Sequence, residues 1–130
     1  MDADEWGALR YATSLQNYVR FDILMEWTIE ILNDAVRAEL EALPADQIAR
    51  FLRIGDLIQS LGLERVREPH VKHLEGALWE IRMKGKDGIS RALYVVARSR
   101  RVVVVRAFSK KTQKTPRREI ELALKRAEDV

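Results

Sequence analysis

Several features that would place this 130-residue chain in a common class of protein are absent from it. It has no cysteine, which excludes a disulfide framework and a thiolate metal site. Its first residues, MDADEW, are acidic where a secretory signal is basic and then apolar. The longest purely aliphatic run, Val102 to Val105, is far shorter than the roughly 20 residues that span a bilayer. These absences predict a cytoplasmic domain with a single core and no membrane segment.

The charge is divided unevenly along the chain. Residues 1–63 contain 5 Lys and Arg against 11 Asp and Glu, a net charge of −6, whereas residues 64–130 contain 18 against 9, a net charge of +9. A basic half favours contact with a polyanion, and RNA and DNA are the first candidates. Solvated Lys and Arg on ordinary strands and helices would give the same totals, so the charge alone leaves both interpretations open.

Apolar periodicity predicts the first elements. The segment EWTIEIL (26–32) alternates in the manner of a half-buried strand. A helix capped by Asn33 or Asp34 follows, and after Pro44 a second helix extends over about 45–61. Residues from Glu64 to Glu75 carry charges, a proline and both histidines without sustained periodicity, and they are predicted to form a loop.

Three strands and a helix complete the predicted order. The strands are expected at 77–84, 89–98 and 101–108, the first two joined by the turn sequence GKDG. The last helix should begin at Pro116 with Thr115 as its N-cap. This β-α-α-β-β-β-α order predicts an α+β fold, in which a small, mainly antiparallel sheet has its helices packed on one face and its other face at least partly open.

The predicted strand 77–84 separates two kinds of side chain. Trp79, Ile81 and Met83 alternate with three charged residues, so the first set should be buried in the core. The charged set should then lie on the open face of the sheet, and it consists of Glu80, Arg82 and Lys84.

The first 24 residues fit this layout poorly, because they show only a partial helical stripe. Met25 stands directly before the first predicted strand. Residues 1–24 are therefore interpreted either as an extension that forms a helix packed on the domain, or as the product of a start assigned upstream of the true one.

Three short motifs carry a resemblance to a known family. They are WEIR on one predicted strand, SRALY on the next, and KKTQKTP before the last helix. Over about residues 25–128 the chain resembles the phage-derived Gp49-like, HigB-type branch of the RelE/ParE superfamily of type II toxin–antitoxin toxins. The resemblance implies a RelE-like toxin domain over residues 25–130. It also implies cleavage of mRNA, usually at the ribosome, and neutralisation by a cognate antitoxin that often has a helix-turn-helix domain.

RNA cleavage of this kind needs neither metal nor cofactor, because the 2′-hydroxyl attacks the neighbouring phosphate and fixed cations stabilise the charge that develops. Arg82 and Arg91 match family positions on adjacent strands and are predicted to hold that phosphate. Lys111 is expected to assist them, with Glu80 or His73 transferring protons. Other interpretations stay open, since Arg82 could form an ordinary ion pair with Glu80, and a loop histidine is more often structural than catalytic.

Further cations are predicted to bind RNA around this centre. Many lie at the start of the last helix, where the helix dipole disfavours positive side chains. Because free N–H groups at a helix start also bind phosphate, these cations are expected to meet an anion there. The alternative is a solvated basic loop. Phe108, at a strand end, is the candidate for stacking on a base, although core packing is its ordinary role. The RNA-binding candidates are Lys72, Lys84, Arg106, Phe108, Lys110, Gln113, Lys114 and Arg117.

Two functions of other classes remain possible from the sequence. A ParE-like protein would inhibit DNA gyrase on the same fold without cutting RNA, since one fold supports several functions. A non-catalytic nucleic-acid-binding module is the other alternative.

Overall fold

The computed structural model describes residues 26–110 and 114–130. The fold is α+β, as predicted, and its sheet has the strand order β1-β5-β4-β3-β2. The edge strand β1 runs parallel to β5, and the other neighbours are antiparallel. The elements are β1 (Thr28–Ile31), α1 (Asp34–Glu41), α2 (Ala45–Leu61), a 3₁₀ turn (Leu63–Arg65), β2 (Val71–Glu75), β3 (Leu78–Gly85), β4 (Gly88–Ala97), β5 (Arg101–Lys110) and α3 (Arg117–Ala127).

The helix boundaries follow local chemistry. Of the two predicted cap residues, Asn33 is the N-cap of α1, and its side-chain oxygen accepts a hydrogen bond of 3.0 Å from the backbone N–H of Val36. Pro44 precedes α2, and Gly62 ends it with a φ of +91°, a conformation that side chains rarely adopt. The predicted extension over residues 1–24 lies outside the described residues.

The strand β2 was missed, because residues 64–75 were predicted to form a loop. It pairs with β3 alone, with Val71 opposite Ile81 and Lys72 opposite Glu80. An edge strand is held mainly by backbone hydrogen bonds on one side, so it needs little apolar alternation. Polar residues such as Lys72 and His73 therefore concealed it.

Helices cover both faces of the sheet, which corrects the expectation that all would pack on one. On the first face, α1 and α2 bury one apolar cluster, to which β3, β4 and β5 contribute alternate residues. On the second face, α3 packs Ala123 into another cluster. The sheet residues of that second cluster are Leu78, Leu93, Val95, Val103, Val105 and Phe108. The open part of the second face is therefore smaller than predicted.

A β-bulge interrupts the pairing of β4 with β5. The register shifts so that Leu93 is opposite Arg106 and Tyr94 is opposite Val104, which leaves Val105 as the extra residue. As a consequence, both Val105 and Arg106 belong to the α3 side of the sheet.

The start of α2 holds the turn between β3 and β4, which the GKDG sequence predicted correctly. The Asp46 carboxylate accepts a 2.7 Å hydrogen bond from the backbone N–H of Lys86. Gln47, which is 1% exposed, donates to the carbonyl of Gly88 at 3.3 Å and accepts a hydrogen bond from the Ser90 hydroxyl. A Cβ atom at Gly85 would lie 2.6 Å from the Asp46 carboxylate, so this contact requires glycine.

Beyond the end of β1, a carboxylate from α1 replaces a strand as the partner of β5. Glu39 accepts a 3.2 Å hydrogen bond from the backbone N–H of Ala107 and pairs with Arg106 at 2.8 Å and Arg126 at 2.9 Å. Burial alone would raise the pKa of Glu39, but the hydrogen bonds from Arg126 and Ala107 and the charges of both arginines lower it below its ordinary value. Glu39 thus joins α1, β5 and α3.

Candidate functional site

Charged side chains of β2, β3 and β4 meet on the α3 side of the sheet. In the observed register, Lys72 lies opposite Glu80, and Arg82 lies opposite Arg91. Directly opposite residues of neighbouring strands point to the same face, so these four belong to one patch. The predicted alternation of Glu80, Arg82 and Lys84 against Ile81 and Met83 is therefore correct.

The Glu80 carboxylate lies at the centre of this patch, and it is 2% exposed. Its Oε1 atom lies 3.7 Å from Arg82 Nε, and its Oε2 atom lies 3.5 Å from Arg91 Nε. The Thr115 hydroxyl donates a 2.6 Å hydrogen bond to Oε2. Two guanidinium groups against one carboxylate leave a local excess of one positive charge. Glu80 is thus occupied by three partners and buried from solvent, which does not suit the predicted role of a base that contacts RNA.

Arg91 is the most deeply placed member of the patch, since its side chain is 0% exposed. Burial lowers the pKa of Arg91, Glu80 raises it, and the positive charge of Arg82 lowers it further. Its guanidinium nevertheless stays protonated, because the ordinary value is so high. A fully buried side chain cannot contact RNA directly, so Arg91 contributes charge from below the surface rather than a direct phosphate contact.

Arg82 is the arginine of the patch that solvent can reach. Its side chain is 24% exposed, although its Nε atom is buried. The exposure therefore belongs to other atoms of the side chain. Glu80 lies on the Nε side at 3.7 Å, which is an ion pair and not a hydrogen bond, and the guanidinium group has further N–H donors at its far end.

Exposed lysines surround Arg82. Lys72 on β2, Lys84 on β3 and Lys114 before α3 are all exposed. Arg117 is exposed as well, but it pairs with Glu75 and Glu121, and its hydrogen bond with Glu75 raises the pKa of Arg117. Three other predicted site residues lie wholly or partly outside the described residues. Lys111 and Gln113 are not described, and of Lys110 only the backbone is described.

The structure places two predicted RNA-binding residues in structural roles instead. Phe108 is 8% exposed and packs in the cluster under α3, so it cannot stack on a base. The guanidinium of Arg106 lies 5.6 Å from the centre of the Phe108 ring and pairs with Glu39 and Glu119. The bulge and the carboxylates of two helices decide this outcome, and strand periodicity cannot show either.

His73 is separated from Arg82 by the sheet. It lies opposite Trp79 in the β2–β3 register, and alternation places both on the face away from Glu80. Its ring packs edge-on against Trp79 at 4.8 Å, and its Nε2 atom lies 2.7 Å from the Gly76 carbonyl oxygen. The predicted catalytic role of His73 beside Arg82 is therefore not supported. Trp79 is also misplaced by the prediction, since it is 38% exposed rather than buried.

Thr115 has a role that sequence reasoning missed. It was predicted to cap the last helix, but Pro116 is the N-cap of α3, without a side-chain hydrogen bond. The Thr115 hydroxyl instead binds Glu80 and so connects the start of α3 to β3. The relevant signal, a carboxylate 35 residues earlier in the chain, is not local.

Two negative findings apply to the described residues. Within 26–110 and 114–130, no group of three or more His, Asp or Glu side chains is placed to hold a metal ion. In the same part of the chain, no helix is long and apolar enough to cross a membrane.

Comparisons with known proteins identify a family. The family model described as "Phage derived protein Gp49-like" matches residues 38–128. A comparison with curated proteins gives no significant match. Among solved structures, an archaeal RelE–RelB complex from Pyrococcus horikoshii contains a chain similar to this one at 22% identity and a TM-score of 0.49, covering 68% of this chain and 99% of that one. The match over residues 38–128 confirms the Gp49-like resemblance found in the strand and loop motifs, and the chain therefore belongs to the phage-derived Gp49-like family.

Proposed function

We propose that this protein is the toxin of a type II toxin–antitoxin system and that it acts as a metal-independent endoribonuclease on translated mRNA. Its membership of the Gp49-like family supports the toxin role. The observation that carries the proposed activity is the state of Arg82, whose side chain is 24% exposed and lies 3.7 Å from the buried carboxylate of Glu80, on a sheet face bordered by exposed lysines. Such a surface suits the phosphate backbone of RNA.

The proposed reaction is attack of a 2′-hydroxyl on the adjacent phosphorus. The bond to the 5′-oxygen then breaks and leaves a 2′,3′-cyclic phosphate. The 2′-hydroxyl gives its proton to solvent water, and the leaving oxygen receives a proton from a lysine of this face. Negative charge increases on the phosphoryl oxygens as the transition state forms, and Arg82 donates hydrogen bonds to them. Fixed donors of this kind stabilise the transition state because they need no reorganisation during the reaction.

The lysines complete the proposed site. Lys72 and Lys84 project on the same face as Arg82, and Lys114 precedes α3. We assign to them the binding of flanking phosphates, and to a lysine of this face the proton given to the leaving group. Glu80, which the sequence suggested as a base, becomes a positioning residue for Arg82, since three partners surround its carboxylate.

Expression of Arg82 variants in cells tests this function. Arg82→Ala should lower mRNA cleavage by roughly 10²–10³-fold, the typical loss for one such donor. Arg82→Lys should restore only part of it, because an ammonium group lacks the planar fork. Arg98→Ala is the matched control, since Arg98 is an exposed arginine in the turn between β4 and β5.

The readouts are growth after induction and mapping of mRNA 5′ ends, each with and without the adjacent reading frame as antitoxin. We expect growth arrest and new 5′ ends with the unaltered chain, and neither when the antitoxin is co-expressed. Growth arrest without new 5′ ends would favour inhibition of DNA gyrase. Full toxicity of the Arg82→Ala variant would exclude the proposed role of this face.

A further inference from the structure

An apolar groove lies on the face of the sheet opposite Arg82. Its volume is about 580 Å³. Trp79 and His73 belong to it, as does Tyr94, which lies opposite Trp79 on β4. The groove extends from the residue before β1 to the edge strand β2, and the segment after α2 forms part of its wall. Its residues are Trp27, Leu63, Glu64, Val66, Arg67, Glu68, Val71, Lys72, His73, Trp79 and Tyr94.

Two observations indicate that something covers this groove. Trp79 is 38% exposed, although tryptophan is among the side chains that gain most from burial. The indole N–H of Trp27 is buried and has no hydrogen-bond acceptor. A buried donor without a partner is rare and costly in native proteins, but this atom is closed to solvent, so a chain segment in the groove reaches it only after the indole turns.

We propose that the groove is the docking site of residues 21–25 of the same chain, the sequence Phe-Asp-Ile-Leu-Met that leads directly into β1. Trp27, two residues after Met25, is itself part of the groove, so the preceding chain starts at its border. Five strands spaced by about 4.8 Å make the sheet about 19 Å wide. The six residues before Trp27, which are residues 21–26, span roughly 20 Å when extended. Residues 21–25 can therefore reach from Trp27 towards β2.

The chemistry of the preceding segment fits the groove. Phe21, Ile23 and Leu24 offer apolar side chains for the aromatic surface. The groove is lined by two cations, Arg67 and Lys72, and by two carboxylates, Glu64 and Glu68, so its charge is balanced and the fit rests on the apolar side chains.

The chain before β1 is rich in aromatic residues, and of these Phe21 belongs to the docking segment itself. Residues 1–25 hold Trp6, Tyr11, Tyr18 and Phe21, four of the nine aromatic residues of the chain. The family model begins at residue 38, so the docking segment is an addition to the part of the chain that matches the family. The inference is independent of the proposed nuclease activity.

Tryptophan fluorescence of the full chain tests the docking. In a Trp6→Phe background, the emission reports Trp27 and Trp79, which both contribute to the groove. The variant with Phe21→Asp and Ile23→Asp should shift the emission to longer wavelength and increase quenching by acrylamide. The matched control, Ala8→Asp with Ala12→Asp, adds the same charge further from Trp27 and should change neither quantity.

A double-mutant cycle gives a second measurement that does not depend on emission. Trp79→Ala should lower the urea midpoint of the otherwise unaltered chain. The same substitution should lower the midpoint less in the variant with Phe21→Asp and Ile23→Asp, because the contact between Trp79 and residues 21–25 is then already lost. Additive effects would contradict the docking.

Other occupants give different results, and each would overturn the proposal. Easy quenching in the free chain, followed by protection when a single-stranded RNA or the antitoxin is added, would assign the groove to that partner. Protection that disappears on dilution, together with a dimer in sedimentation, would assign it to a second copy. Equal quenching of the Asp variant and its control would show that residues 21–25 do not cover the groove.

Discussion

Replacement of Glu80 by Gln tests the buried centre of the candidate site most directly. The carboxylate is 2% exposed and compensates the charge of Arg91, which is 0% exposed, and of Arg82. Gln keeps the volume and an oxygen that can accept from Thr115, but it removes the negative charge. Loss of one partner of a buried pair typically costs about 3–5 kcal/mol. Because one acceptor survives, we expect the lower end, a loss of about 3 kcal/mol in the free energy of unfolding.

Urea denaturation followed by far-UV circular dichroism measures this loss. Thr115→Val is the matched variant, because it removes the 2.6 Å hydrogen bond and leaves the charge of Glu80 in place. A hydrogen bond to a charged group contributes about 1.5–3 kcal/mol. Both changes act on the same carboxylate, so their effects should be less than additive in the double variant. A loss below about 1 kcal/mol for Glu80→Gln, the value of a surface pair, would refute a buried, charge-compensating Glu80.

The same variant separates positioning from proton transfer. If Glu80 only orients Arg82, Glu80→Gln should reduce cleavage while the pH profile of the remaining activity keeps its shape. A general base would behave differently, because its removal would abolish the limb of the profile that reports its ionisation. Loss of that limb would return Glu80 to the role that the sequence suggested.

Two further predictions concern stability. Since the pKa of Glu39 is lowered in the folded protein from an ordinary value of 4.5, its contribution is present above that value and is lost as the pH falls through the folded value. Glu39→Gln should therefore lower the free energy of unfolding near neutral pH. In a plot of urea midpoint against pH, the fall at acid pH should become shallower than in the unaltered chain, and an unchanged fall would contradict the role of Glu39. Gly85→Ala should lower the free energy of unfolding by about 1–3 kcal/mol, as overpacking does, because the new Cβ would lie 2.6 Å from Asp46 and Gln47. Thermal denaturation measures this loss of stability. A melting temperature equal to that of the unaltered chain would show that the turn between β3 and β4 can move away from α2.

Local patterns predicted much of the fold. Alternation of Ile81 and Met83 with Arg82 fixed the two faces of β3 correctly, because strand geometry sends successive side chains to opposite sides. The cap at Asn33 followed from its own neighbours in the chain. The edge strand β2 escaped prediction, since backbone pairing with β3 holds it and its side chains carry little pattern.

The candidate site was predicted only in part. The WEIR and SRALY motifs indicated Arg82 and Arg91, and the register places them opposite each other. Their different accessibility was not predictable, because it depends on which groups pack above each strand. His73 was grouped with them through its sequence position, whereas alternation along β2 places it on the other face.

The sequence by itself determined the helices and every strand except β2, the basic half of the chain and the family, because periodicity, charge and contiguous motifs are properties of neighbouring residues. The tertiary structure alone decided which charged side chains stay accessible to solvent and which are paired or buried. Arg106 is neutralised by carboxylates from α1 and α3, and Glu80 is enclosed by two arginines and a threonine, while Arg82 keeps contact with solvent. The physical reason is that burial and charge compensation depend on distances between residues far apart in the chain, and folding sets those distances.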